Sequence, residues 1–153
     1  MRIEVFSEFN EELEKIWCDF EKEALLTPFQ SYTWLSNWQS IIGYPLHSVK
    51  PQVVLVRVNE KLIAIFPFGI RKSVGVFILE WLGKEQSDYL GPLLSNKYVH
   101  FRRNLEKDFL SCWQIIINKL DPFDVIHFQK QKENIGVLQN PFVKEMNCYK
   151  YLL

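Results

Sequence analysis

Glycine is scarce in this chain, with six residues in 153, which leaves little material for the glycine-rich turns that bind phosphates. Cysteine is scarcer still. Cys18, Cys112 and Cys148 are odd in number and far apart, a pattern that fits neither a disulfide framework nor a zinc site, so free buried thiols in a reducing compartment are expected. Charge of one sign is also missing, since 18 basic residues balance 18 acidic ones. No global field draws the chain to nucleic acid or an anionic membrane. No apolar run approaches the roughly 18 residues of a membrane span, and Met1–Phe6 carries no hydrophobic signal core. A cytoplasmic location is the expectation. The three histidines, His47, His100 and His127, are scattered, so no metal site is expected.

What the chain does have is apolar and aromatic bulk. Hydrophobic residues make up 48% and aromatics 15%, including five Trp and twelve Phe. That suffices for one sizeable core and predicts a single domain over 1–153.

The periodicity gives an order of elements. A strand at Ile3–Phe6 precedes a helix capped by Ser7, with Phe9, Leu13, Ile16, Trp17, Phe20 and Ala24 on one face. Thr27–Pro28 breaks it. A second helix starts at Ser31, presents Trp34, Leu35, Trp38, Ile41 and Ile42, and takes Gly43 as its C-terminal cap. Three strands follow: Val53–Val58, Leu62–Phe68 with Pro67 at an edge, bulge or strand end, and Val74–Leu82 after a turn at Arg71–Ser73. Their nearly continuous apolar character implies helices on both faces. A long third helix spans Tyr98–Leu120. Asp124–Phe128 reads as a strand, Glu133–Leu138 as a short helix and Asn147–Leu152 as a last strand. The fold class is α/β, a three-layer α/β/α sandwich with a mixed, mostly antiparallel sheet in the order β-α-α-β-β-β-α-β-α-β.

Two local segments carry a family resemblance. Thr27–Trp38 contains PFQS-x-x-WL-x-x-W, and Ser87–Leu94 contains SDY-x-GPL; Leu62–Phe68 is a strand ending in Pro-Phe. With the element order, these resemble the CelD-like, cellulose-biosynthesis-type acetyltransferases of the GNAT superfamily, relatives of the Fem-type aminoacyltransferases. The resemblance implies a GNAT-like domain corresponding to the N-terminal half of a tandem arrangement. It further implies acyl transfer from acetyl-CoA or another acyl-CoA to an amine or hydroxyl of a sugar or cell-envelope precursor. The coenzyme site of such proteins belongs to the other half. The partners implied are therefore a second GNAT-like half or a second copy of the chain, and a small-molecule or glycan-precursor acceptor. The apolar run Tyr149–Leu153 also fits an apolar partner.

The residues agree with that division. A coenzyme loop of the form Q/R-x-x-G-x-G/A is expected after the third meander strand, but that connection offers only Gly83 and Gly91, with Pro92 removing a further backbone donor. Lys97, His100, Arg102 and Arg103 crowd the start of the third helix, where the dipole disfavours cations. Lys97, Arg102 and Arg103 are candidates to hold a coenzyme anion; a solvated basic face is the other reading.

Asp88 and Tyr89 are the leading substrate-binding candidates, on a loop beyond a buried strand. Asp88 either orients a substrate amine or hydroxyl or satisfies the amides of its own loop. Gln30 and Tyr32 are candidates to line a substrate groove, whereas Trp34 and Trp38 suit a core or a domain interface. His127 suits a satisfied core position. No nucleophile–base pair can be read from spacing. Three functions remain open: the acceptor-side half of an acyltransferase, a non-catalytic binding or oligomerisation module, and a compact acetyltransferase with a divergent coenzyme site.

Overall fold

Alternating apolar side chains along the central strands commit both faces of one sheet to burial, and the helices settle on each. The computed structural model describes residues 1–98, 100, 103 and 108–146, with side chains as far as 143 among the last of these. Strand β1 is Arg2–Phe6, β2 Ala24–Leu25, β3 Lys50–Val58, β4 Lys61–Ser73, β5 Val76–Trp81, β6 Leu93–Ser95 and β7 Val125–His127. They form a mixed, mostly antiparallel sheet in the order β1-β3-β4-β5-β7, in which β5 and β7 run parallel. A small hairpin, β8 Asn134–Ile135 and β9 Leu138–Gln139, stands apart.

Helix α1 (Glu11–Glu21) is capped by Asn10, whose side chain accepts from the Leu13 amide at 2.9 Å, so the expected Ser7 cap is corrected. Asn10 lies one residue before the helical φ/ψ begins, where its carboxamide can reach the orphan amides. Glu11, Glu12 and Glu14 complement the positive end. Ser31 does cap α2 (Tyr32–Trp38), accepting from the Trp34 amide.

Beyond α2 the chain makes a π-helical turn at Gln39–Gly43 and a short α3, Tyr44–His47. The extra residue in that turn rotates the faces. Leu35 and Trp38 are buried as expected, but Gln39 and Gly43 go inward while Ile41 is 66% exposed. Gly43 is therefore no cap: a Cβ there would stand 2.6 Å from the Trp38 ring. The left-handed cap is Ser48.

Side chains of α1 and α2 pack on one face against Val53, Leu55, Leu62, Ile65 and Leu82. On the other face Val54, Phe66, Phe68, Leu79 and Trp81 meet helix α4 (Phe109–Ile117) and Phe142 of α5 (Pro141–Met146). A β-bulge at Ile63 shifts the alternation, so Leu62 faces one core and both Ile63 and Ala64 the other. Burial pushes the Cys112 thiol up to about 12, with Asp108 adding to it, so this sulfur is a small core hydrophobe.

Strand β4 runs on past the predicted Phe68 end, and the predicted turn at Arg71–Ser73 is strand; the reversal is Val74–Gly75, both at positive φ. Pro67 thus lies inside a central strand. Its carbonyl accepts from the Leu82 amide at 2.9 Å, so its nitrogen faces the same flank. On that flank β4 pairs with β6 through Ala64 and Ile65 and with β5 from Phe68 onward. Pro67 sits in the fork between them, where a missing donor costs no ladder bond.

Glu133–Leu138, expected to be helical, is the β8–β9 hairpin turned at Gly136, and α5 follows it unforeseen. Of the expected long third helix, α4 is the part shown; residues 99, 101, 102 and 104–107 lie outside the described residues, as does the expected last strand at 147–152.

Candidate functional site

The two segments singled out in the sequence are physically one unit. Two side chains of the first donate into the second, Gln30 Nε2 to the Tyr89 carbonyl at 2.8 Å and Trp34 Nε1 to Ser87 Oγ at 3.0 Å, and a third, Trp38 Nε1, donates at 3.0 Å to Oε1 of Gln86, the residue just before it. Helical spacing places the two indoles one turn apart, so both reach the same loop. On the loop's other side Lys130 Nζ donates to the Ser87 carbonyl at 2.8 Å and lies near those of Lys84 and Glu85. An ammonium with three donors over a row of carbonyls satisfies groups that the short 3-10 turn at Lys84–Gln86 leaves open.

Beside this braced loop lies a groove of about 400 Å³. One wall is Ala24–Thr27 with Gln30, the second is Tyr89–Pro92, and the third is Lys132 with the β8–β9 hairpin through Gly136. Gly136 stands at φ +61 with Leu25 directly against it, so the hairpin tip is held to the first wall. Asn140 fixes the hairpin base, its Nδ2 donating to the Lys132 carbonyl at 3.0 Å and its Oδ1 accepting from the Phe142 amide. Lys132 Nζ rests 3.7 Å from the centre of the Tyr89 ring.

Of the four predicted substrate-binding residues, the structure brings Gln30 and Tyr89 to this groove. Gln30 is largely engaged, however: its Nε2 holds Tyr89 and its Oε1 accepts from the Thr27 amide and hydroxyl, both at 2.8 Å. It shapes the wall, with one Nε2 hydrogen left outside these bonds. Tyr89 is 43% exposed. Asp88 is exposed beside the groove, outside its lining, and makes no side-chain bond among the described residues. Tyr32 is not brought there. It is buried against Phe9 and Trp17, and its hydroxyl donates to the Asn10 carbonyl at 3.3 Å. Burial, then the Glu14 charge, pushes its phenol up, as suits a core hydroxyl.

Two of the three basic candidates fall among the described residues. Lys97 pairs with Glu23 at 3.5 Å, Arg103 is exposed, and Arg102 lies outside the described residues. Nor do the residues after β5 fit a coenzyme pyrophosphate. Gly83 adopts φ +99, but Ser87 Oγ fills the space beside it, 2.5 Å from where a Cβ would stand. β5 then runs into a 3-10 turn and strand β6 rather than a helix, so its amides are not gathered at a helix start.

A second polar cluster escaped the sequence reading. Glu80, 4% exposed, takes Arg71 on both oxygens at 3.0 and 3.3 Å, with Lys84 at 3.5 Å. Its signal was faint, a lone carboxylate in an apolar strand run. His127, opposite Glu80 in the parallel register, is exposed and contacts Gln129 at 2.8 Å, so it is not a core histidine. It lies on the last strand of the described sheet, where one flank has no neighbour to bury it.

Among the described residues no cluster of His, Cys, Asp or Glu could hold a metal ion, and no helix is long and apolar enough to cross a membrane. Lys130 and Lys132, which brace the loop and furnish the groove's cation, were not foreseen, because a lysine's partner lies across the fold and leaves no spacing signature. Comparison with known proteins adds no relative: no family model matches the chain, and no curated protein or solved structure matches it.

Proposed function

We propose that this chain is the acceptor-side, GNAT-like module of an acyl-CoA-dependent N- or O-acyltransferase acting on a sugar or cell-envelope precursor, and that the groove beside Tyr89 receives the acceptor. The observation that carries the reading is the brace itself. Gln30, Trp34, Trp38 and Lys130 immobilise one loop, and a wall held from both sides is a feature of binding sites that must keep their shape. The element order, with parallel β5 and β7 on either side of α4, supports a GNAT-like arrangement. The misfit of the Gly83 turn to a pyrophosphate supports leaving the coenzyme to a second domain. Acetyl-CoA or another acyl-CoA is then a ligand of the complete assembly and not of this chain.

Calorimetry tests this directly. The chain titrated with acetyl-CoA is expected to give no binding heat, whereas micromolar affinity would overturn the division of labour and favour a compact, complete acetyltransferase. A second reading, an oligomerisation module, is favoured by Ile41, Tyr44 and Leu46, which are 66%, 68% and 70% exposed over the π turn and α3. Clustered apolar exposure of that kind suits a protein partner. Sedimentation showing a dimer that Tyr44→Ser plus Leu46→Ser dissolves would favour it.

A further inference from the structure

We propose that the groove selects an anionic acceptor, a sugar or similar polyol bearing a phosphate or carboxylate, and that Lys132 is the residue that recognises the anion. The inference rests on the reading of the groove as the acceptor site and names the class of acceptor.

The groove's charge is one-sided. Among the described residues no acidic side chain lines it, and Lys132 is the one cation in its walls. Acidic and basic residues are equally numerous in this chain, yet Lys132 pairs with no carboxylate among the described residues. Its ammonium rests on the Tyr89 ring face instead, 3.7 Å from the centre. A contact of that kind at an exposed site is weak and leaves the ammonium's three N–H donors unclaimed. It fixes where the charge stands without neutralising it.

The position is supported through the backbone. The Lys132 carbonyl accepts from Asn140 Nδ2, and Tyr89 is pinned by Gln30 through its own carbonyl. Cation and ring therefore belong to two anchored walls, and an anion arriving between them displaces no existing ion pair. Asn134 and the Tyr89 hydroxyl offer further hydrogen-bonding groups along the same walls. Leu25, Leu90 and Ile135 supply apolar surface that suits the carbon face of a sugar ring.

Amide chemical-shift titration of the whole chain provides the test, with glucose 6-phosphate, glucuronate, glucose and N-acetylglucosamine as probes. The anionic sugars are expected to shift Leu90, Gly91, Ile135 and Gly136, with an affinity that falls as salt rises. Lys132→Gln should weaken them about tenfold, Lys132→Arg should retain them, and the distant Lys119→Gln should change nothing. The ratio of phosphate to carboxylate affinity identifies which anion the site prefers. Neutral sugars binding as well as charged ones, with indifference to Lys132→Gln, would overturn the anion inference and leave the acceptor groove standing. If no probe shifts the groove, both readings fall. Unchanged amide shifts away from residue 132 in the variants check that folding is intact.

Discussion

Trp34 and Ser87 are joined by an indole N–H donating to a hydroxyl oxygen at 3.0 Å, and the same hydroxyl donates onward to the Gly83 carbonyl at 3.3 Å. Ser87 is fully buried. Its removal therefore strands a donor and an acceptor together, and the cost is their desolvation rather than one lost bond. Ser87→Ala should destabilise by about 2 kcal/mol, a fall in Tm of roughly 5 °C for a chain of this size. Trp34→Phe added to Ser87→Ala should cost less than it does alone. Strict additivity in chemical denaturation would show that the two residues act separately.

Gly83 and Gly75 both stand at positive φ, +99 and +84, but in different surroundings. Nothing lies within 4 Å of a Cβ at Gly75, whereas one at Gly83 meets Ser87 Oγ at 2.5 Å and Leu35 at 3.2 Å. Gly75→Ala should therefore cost about 1 kcal/mol of backbone strain. Gly83→Ala should cost at least about 2 kcal/mol, because overpacking adds to the strain. Equal urea midpoints for the two variants would contradict the packing around Ser87.

Glu4 supplies a pH dependence. Burial pushes its carboxyl up, but hydrogen bonds from Arg57 at 2.7 Å and Arg2 at 3.1 Å, with their charges, outweigh it and hold the group below its ordinary 4.5. A lowered folded pKa means stability that is present above about pH 4.5 and drains away as pH falls through the folded value. The group is partly exposed, so the contribution at pH 7 is about 1 kcal/mol or less. The gap between the wild type and Glu4→Gln should be open at pH 7 and narrow progressively as the pH is taken below 4.5. A gap that persists unchanged in acid would rule out the ion pair as its source.

Phe142 lies edge-on to six rings, those of Phe66, Phe68, Trp81, Phe109, Trp113 and Phe128, at centroid distances of 4.8 to 5.7 Å. Phe142→Ala should cost about 4 kcal/mol. Val137→Ala, on a side chain 90% exposed, should stay within about 0.5 kcal/mol. A small effect at Phe142 would mean that α5 does not close the core as described.

Elements whose signal is their own periodicity were readable from the chain. Leu13, Trp17 and Phe20 form the buried face of α1 as their spacing requires, and β3, β4 and β5 appear in the expected antiparallel succession. The errors fall where a distant partner decides the local outcome. Pro67 is tolerated in mid-strand because β5 and β6 part beside it, and no local pattern reports that fork. Gly43 packs under Trp38 because a π turn brings it inward, which a 3.6-residue period cannot anticipate. The segment Glu133–Leu138 holds alternation too short to separate a helix from a hairpin. For the site, Tyr89 was visible as a loop aromatic. Gln30 is present in the role of a strut, and Tyr32 belongs to the core, since hydrogen-bond engagement and burial are properties of the folded chain alone.

The fork at Pro67 also divides the molecule's cooperativity. The ladder of β4 with β3 is long, but on the opposite flank β6 hangs from Ala64 and Ile65 only and carries β2 beyond it. Short branches open at lower free energy than the body they attach to. Two walls of the groove, Ala24–Thr27 and Tyr89–Pro92, lead directly into this branch. A ligand that bridges them would slow amide hydrogen exchange in β2 and β6 well before it raised the global unfolding free energy. Occupancy of the groove is thereby made readable as a local change in breathing, while the β3–β4–β5 body keeps its own exchange rates.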